Sequence, residues 1–111
     1  MGQRTAACLA GALMPTQKLT DSEIAQALQS LSNWTRDADG LGISRSFKFK
    51  TFSQAFGFMA RCALAAEKAD HHPEWSNVYN KVDVRLTTHD AGGISQKDMD
   101  LAKRFDALFE T

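Results

Sequence analysis

Between Lys81 and His89 the side chains alternate without a break. Val82, Val84, Leu86 and Thr88 fall on one side, and Asp83, Arg85, Thr87 and His89 on the other. A period of two belongs to a strand buried on one face and wetted on the other, the habit of an antiparallel sheet with one covered face. Ile43 to Lys50 repeats the pattern. Ile43, Arg45, Phe47 and Phe49 share one face, with Arg45 an intrusive charge, and Ser44, Ser46, Lys48 and Lys50 take the other. Two more extended segments are predicted, Trp34 to Asp37 and Trp75 to Asn80. Ala38-Asp39-Gly40 turns the first pair, and Asn80-Lys81 is the expected tight connection of the second.

Three segments carry the helical period instead. Thr20 and Glu23 form a capping-box pattern, with Leu19 and Ile24 placed as a hydrophobic staple. Ile24, Ala27, Leu28 and Leu31 continue that helix to about Ser32. From Phe52 to Ala69 an alanine-rich segment sets Phe52, Ala55, Phe56, Met59, Ala63 and Ala66 along one stripe, the predicted buried face. Phe58 lies nearly opposite, beside Arg61, and reads as a surface aromatic free to meet a neighbouring subunit. After the hinge-forming Gly92-Gly93, Ser95 and Asp98 repeat the capping-box spacing, and Met99, Ala102, Phe105 and Phe109 line a last helix. The order α-β-β-α-β-β-α predicts an α+β fold, a four-stranded antiparallel sheet with three helices packed on one face.

A chain of 111 residues makes one domain able to bury a core without disulfides. Its 43% hydrophobic content is that of a globular protein and excludes disordered or low-complexity readings. Thirteen basic side chains balance thirteen acidic ones. That leaves no footprint for direct nucleic-acid or membrane binding, though a protein partner stays open. Cys8 and Cys62 are too few and too far apart for a disulfide scaffold or a metal site, and read as reduced thiols of a cytoplasmic protein. The longest apolar run, Ala6 to Met14, falls well short of the ~20 residues of a membrane span. Residues 1–18 are expected to be a poorly ordered extension ahead of a single domain at 19–111.

The three histidines gather at two element ends: His71-His72 where the long helix stops against Pro73, and His89 at the end of the last strand. Glu67, Asp70 and Asp90 accompany them. Glu67 precedes His71 by four residues, on the same helical face, and Pro73 pushes His72 towards an extended conformation. An imidazole, with an ordinary pKa of about 6.5, can give or take a proton at neutral pH. A nearby carboxylate holds its tautomer and stabilises its cation. The cluster therefore marks a candidate functional site, provided sheet and helix meet there. Two other readings stand beside it: a solvated polar helix end, or zinc held by the imidazoles and Glu67, for which the spacing is not His-Glu-x-x-His or any compact ligand pattern. There is no Gly-x-Ser-x-Gly and no Gly-rich phosphate loop, and Cys62 lies mid-helix among apolar residues.

The run Glu67-Lys68-Ala69-Asp70-His71-His72-Pro73-Glu74-Trp75 follows Ala55-Phe56-Gly57-Phe58-Met59 and leads into Asn77-Val78-Tyr79-Asn80-Lys81-Val82 and then Thr88-His89. It closely resembles the pterin-4a-carbinolamine dehydratase family, also known as the dimerisation cofactor of a homeodomain transcription factor. The resemblance extends from the first helix to the chain end and implies the same sheet and helices. It implies a hydro-lyase that dehydrates 4a-hydroxytetrahydrobiopterin to the quinonoid dihydropterin without metal or cofactor, recycling the pterin of aromatic amino acid hydroxylases. By the same resemblance His71, His72 and His89 are catalytic, and Glu67 and Asp70 are supporting carboxylates. Thr87, Thr88 and Asp90 match pterin-contacting positions, Trp34 and Trp75 their aromatic neighbours, and Asp98 a further matched position. Ser76, Ala91 and Lys97 depart from the aromatic, cysteine and arginine of mammalian relatives. In that chemistry His71 and His89 are the expected acids for hydroxyls leaving opposite pterin faces, with His72 orienting the ring and serving as base.

Read from residue type alone, Trp34, Trp75 and Tyr79 suit sheet or core packing equally well, and Glu67 and Asp98 suit helix ends. The resemblance also implies dimers joined at sheet edges and paired through helices. A homotetramer is expected ahead of a homodimer, with Phe58 at the contact and open sheet edges in support. The alternative function is a binding module acting mainly as a dimerisation cofactor for a transcription factor, with nuclear as well as cytoplasmic presence.

Overall fold

The structure, a computed structural model, describes residues 16–111. Its elements run α1 (Asp21–Leu28), β1 (Thr35–Arg36), β2 (Ile43–Lys48), α2 (Phe52–Ala69), β3 (Glu74–Val78), β4 (Lys81–Leu86) and α3 (Gln96–Phe109), with a 3-10 turn at His89–Ala91. The strands form one antiparallel sheet in the order β1-β2-β4-β3. The α+β class and the element order are those expected from the periodicities. Ala6–Met14 and Cys8 lie outside the described residues. Lys18 is described, and pairs with Ser95 in an isolated bridge. Among the described residues no helix is long and apolar enough to cross a membrane.

Strand alternation sets the layers. Ile43 and Phe47 of β2 and Val82, Val84 and Leu86 of β4 are buried against Ala55, Phe58, Cys62 and Ala66 of α2 and Met99, Ala102 and Phe105 of α3. Each large apolar side chain removed from water contributes roughly 1.5–3 kcal/mol, so this single layer dominates stability. The other sheet face carries Ser44, Ser46, Glu74, Asp83 and Arg85 and stays open.

Helix α1 starts as expected, with both bonds of the Thr20–Glu23 capping box present. It ends earlier than Ser32. The amides of Gln29, Ser30 and Leu31 bond three residues back, tightening the turn and carrying Leu31 and Trp34 into the core.

The buried stripe of α2 corrects the expectation. Phe58 is fully buried, whereas Phe52 and Phe56 stand 48% and 57% exposed and Ala63 also faces water. Phe58 packs its ring 4.7 Å from Phe47 and 5.1 Å from Phe49, so it cannot serve as a subunit contact. Helical spacing admits two rival arcs here, and the facing sheet aromatics select the one through Phe58. The β3–β4 turn also differs by one residue. Val78 pairs with Lys81, leaving Tyr79-Asn80 as the turn, with Tyr79 at φ 50. Asn77 Nδ2 donates to the carbonyls of Tyr79 and Lys81 at 3.0 and 2.9 Å, which holds the bulky residue in that disfavoured region.

Candidate active site

The end of α2 decides where the histidines go. Asp70 adopts the left-handed conformation, φ 51, a place usually taken by Gly or Asn. The amides of Asp70 and His71 bond back to Glu67 and Ala66, and Pro73 prevents the helix from resuming. The reversal sends His71 inward and His72 outward. His71 Nε2 lies 2.5 Å from Asp98 Oδ1, and the Asp98 side chain has no exposed surface.

Asp98 is held by the first turn of α3. Its Oδ2 accepts from Thr88 Oγ1 at 2.8 Å and from the Ser95 amide at 2.9 Å, while the Thr88 and Ser95 hydroxyls are 2.7 Å apart. A buried carboxylate is costly unless its oxygens are bonded. Here both are, and the positive end of the α3 dipole adds to the compensation. Among the described residues no buried side-chain nitrogen or oxygen lacks a partner. The Ser95–Asp98 spacing thus builds more than a helix cap, since the capping carboxylate also grips His71.

The other two histidines face water. His72 Nε2 lies 2.8 Å from Glu67 Oε1, with both side chains largely exposed. Glu67 therefore serves His72 rather than His71: the left-handed turn at Asp70 takes His71 off the helical face on which the spacing placed it. His89 follows β4 in the 3-10 turn instead of ending the strand, and its Nε2 is 3.3 Å from Glu74 Oε2. Glu74 Oε1 accepts from Arg85 Nη1 at 2.9 Å, and Arg85 also donates from Nε to Asp37 at 2.6 Å. The Asp37 hydrogen bond, with Glu74 in support, holds the Arg85 guanidinium above its ordinary range.

One frame connects the three imidazoles. Asp98 bridges His71 to Thr88, the residue before His89, and Glu74, the partner of His89, lies two residues beyond His72. No hydrogen bond joins one imidazole directly to another among the described residues. Asp70 and Asp90 are exposed, Asp70 shaping the backbone of the turn. Thr87 Oγ1 donates to the Leu41 carbonyl at 2.6 Å and pins the loop before β2 to the end of β4.

Trp34 is only 3% exposed; its indole nitrogen donates to Asp106 at 2.8 Å and its ring meets Phe47 edge-on. Trp75 is half-buried and stacks on Phe105 with centroids 6.2 Å apart. The intrusive Arg45 is explained by the same cluster. Its guanidinium bonds Asp106 at 2.6 Å and lies 4.3 Å from the Phe47 ring centre. Asp106, one turn from Ala102 on the predicted apolar face of the last helix, was the matching signal. Burial pushes the Cys62 thiol up to about 12, with Arg61 and Arg104 acting weakly against it, so Cys62 is no nucleophile. Among the described residues no group of three or more His, Cys, Asp or Glu side chains is disposed to hold a metal.

Fold and site together define a class first: an α+β protein whose histidine–carboxylate pairs suit proton transfer. The model of the family described as pterin 4 alpha carbinolamine dehydratase matches residues 17–108. A Rhizorhabdus wittichii protein, provisionally assigned as a pterin-4-alpha-carbinolamine dehydratase, is 57% identical over 97 residues, spanning 87% of this chain and 100% of its own. A Mesorhizobium japonicum protein with the same provisional assignment is 54% identical over 96 residues, spanning 86% and 98%. The crystal structure of a transcriptional coactivator/pterin dehydratase from Brucella melitensis superposes with a TM-score of 0.81 at 51% identity, covering 83% of this chain and 98% of that one. A pterin dehydratase-like RuBisCO assembly factor of the alpha-carboxysome shares the fold, with a TM-score of 0.62 at 21% identity over 71% and 92% of the two chains. The chain belongs to the pterin-4-alpha-carbinolamine dehydratase family.

Proposed function

We propose that this protein is a hydro-lyase that dehydrates 4a-hydroxytetrahydrobiopterin to the quinonoid dihydropterin, recycling the cofactor of aromatic amino acid hydroxylases. The observation that carries the mechanism is the contact between His71 and buried Asp98. Asp98 Oδ2 accepts from Thr88 and from the Ser95 amide, which fixes Oδ1 against His71 Nε2 and leaves Nδ1 as the nitrogen for substrate. His72 and His89 likewise meet Glu67 and Glu74 through Nε2, with Nδ1 unbonded among the described residues.

The reaction needs a proton delivered to the leaving 4a-hydroxyl while the N5 lone pair pushes it out as water. A ring N–H proton is then removed, giving the neutral quinonoid. The acid ends deprotonated and the base protonated, and one proton exchange with water resets both. His71 and His89 are assigned as acids for the two pterin faces, and His72 as the orienting residue and base. Asp70, Asp90, Thr87 and Trp75 keep exposed surface with which to touch a pterin. Trp34, Thr88 and Asp98 are buried and act through their neighbours. The test is a coupled assay with a pterin-dependent hydroxylase, following decay of the 4a-hydroxy intermediate. Faster decay on adding this protein is expected; unchanged decay would overturn the reading.

The domain is assigned to residues 19–111, in the cytoplasm, and to a homo-oligomer, tetramer ahead of dimer. With Phe58 in the core, the contact moves to the exposed Phe52 and Phe56 of α2. Light scattering that returns a 12.2 kDa monomer at micromolar concentration would remove the oligomer. The description of the Brucella protein as a coactivator favours a second reading, a dimerisation cofactor for a transcription factor. That role would survive loss of the histidines, whereas turnover would not.

A further inference from the structure

Helices α2 and α3 leave between them a groove of about 700 Å³ that ends at His71. Its floor is apolar, with Leu101 buried and Leu64 and Leu108 along the sides. Its rim is basic. Arg61 and Lys68 come from α2, Lys97 and Arg104 from α3, and Asp100 is the one carboxylate among the lining residues. Asp100 accepts from Gln96 Nε2 at 2.9 Å. Among the described residues none of these four cations takes part in an ion pair, while Arg36, Arg45, Lys81 and Arg85 all do. In a chain of zero net charge, four cations around one groove mark a local excess.

The order along the groove follows from the bond between His71 and Asp98. It joins the end of α2 to the start of α3, so the helices run antiparallel from that point. Lys68, three residues before His71, and Lys97, next to Asp98, form the pair nearer the imidazole. Arg61 and Arg104 lie seven residues further along each helix, about 10 Å away at the helical rise. A substrate with its reacting ring at His71 would direct its side chain along the apolar floor between these cations.

We propose that the groove takes an anionic substrate tail, and that the preferred substrate is a pterin carbinolamine whose side chain carries a phosphate monoester, bound by Lys68 and Lys97. The inference rests on the dehydratase reading and deepens it. A phosphate monoester brings a charge of about −1.5 to −2 and three strong acceptor oxygens on one centre, which suits a pair of lysines at one point of the groove better than carboxylates set apart on a tail, each of a single charge.

The test compares three carbinolamines, with a neutral dihydroxypropyl tail, the same tail phosphorylated, and a glutamyl tail, in wild type and a Lys68→Gln/Lys97→Gln variant whose fold is checked by circular dichroism. In low salt kcat/KM should favour the phosphorylated substrate by roughly tenfold or more, and high salt should erode the preference. In the variant the preference should collapse, with kcat/KM for the phosphorylated substrate falling to that of the neutral one. Equal kcat/KM for all three substrates, equal preference for the glutamyl tail, or a preference that survives in the variant would each overturn the assignment. Absence of turnover with every substrate would instead defeat the dehydratase reading. Calorimetric titration with a non-reacting phosphorylated 7,8-dihydropterin then still decides the groove, since binding must weaken in the variant if the assignment holds.

Discussion

His71 and His72 are joined by one peptide bond, yet the first is bonded to a carboxylate without exposed surface and the second to Glu67, whose side chain is 80% exposed. The buried pair belongs to a closed network in which Thr88 and Ser95 satisfy the remaining oxygen of Asp98. The exposed pair is screened by water and salt and, among the described residues, has no further partner to hold its geometry. The same two residue types are therefore rigidly oriented in one place and loosely in the other. Structural cost and catalytic cost should separate accordingly.

The largest effect is expected from Asp98→Ala. It strands the His71 imidazole, the Thr88 hydroxyl and the Ser95 amide together, and breaking such a buried pair costs about 3–5 kcal/mol. Urea denaturation should show that loss alongside loss of turnover; a variant within 1 kcal/mol of wild type, by the same scale, would erase the contrast. Next, His71→Ala should cut turnover by roughly two to four orders of magnitude. His72→Ala and His89→Ala should also slow turnover yet stay within about 0.5 kcal/mol of wild-type stability. A His72→Ala variant as destabilised as Asp98→Ala would invert the comparison.

Cys62 offers a third setting, burial that the charges of Arg61 and Arg104 only partly offset. Unfolded, the thiol ionises near 9.0; folded, only at about 12. Between those values the unfolded chain holds fewer protons, so stability falls as pH rises, by up to about 1.4 kcal/mol per pH unit from this group. In a Cys8→Ser background, Cys62→Ala should show a shallower loss above pH 9 than its parent, the onset lying at the unfolded thiol value. Parallel pH curves would refute it. The smallest effect is expected from a chelator. Overnight treatment should leave activity unchanged, and stoichiometric zinc lost together with activity would make the imidazoles ligands rather than acids.

Strand faces and helix caps were legible because each depends on short spacing: alternation placed Ile43, Phe47, Val82, Val84 and Leu86 on the core face, and Thr20–Glu23 and Ser95–Asp98 formed their boxes. The buried face of α2 was not. Phe52–Phe56 and Ala55–Phe58–Cys62 are equally good helical arcs, and the distant Phe47, Phe49, Phe105 and Phe109 choose between them. The partner of Glu67 was missed for a related reason. Asp70 turns the chain left-handed without the glycine that would signal it, and one such residue reassigns two histidines. The histidines themselves stood out at element ends, but the tie from His71 to Asp98 spans 27 residues, beyond what local spacing reports.

Asp98 closes the first turn of α3 and orients His71 with the same carboxylate, so the two cannot come apart independently. Fraying of that helix end would disarm the imidazole before the sheet has begun to open. The Ser95 amide, which donates to Asp98 Oδ2, then becomes a built-in reporter, since its hydrogen-exchange rate measures how often the acid–base machinery is momentarily disassembled in the native protein.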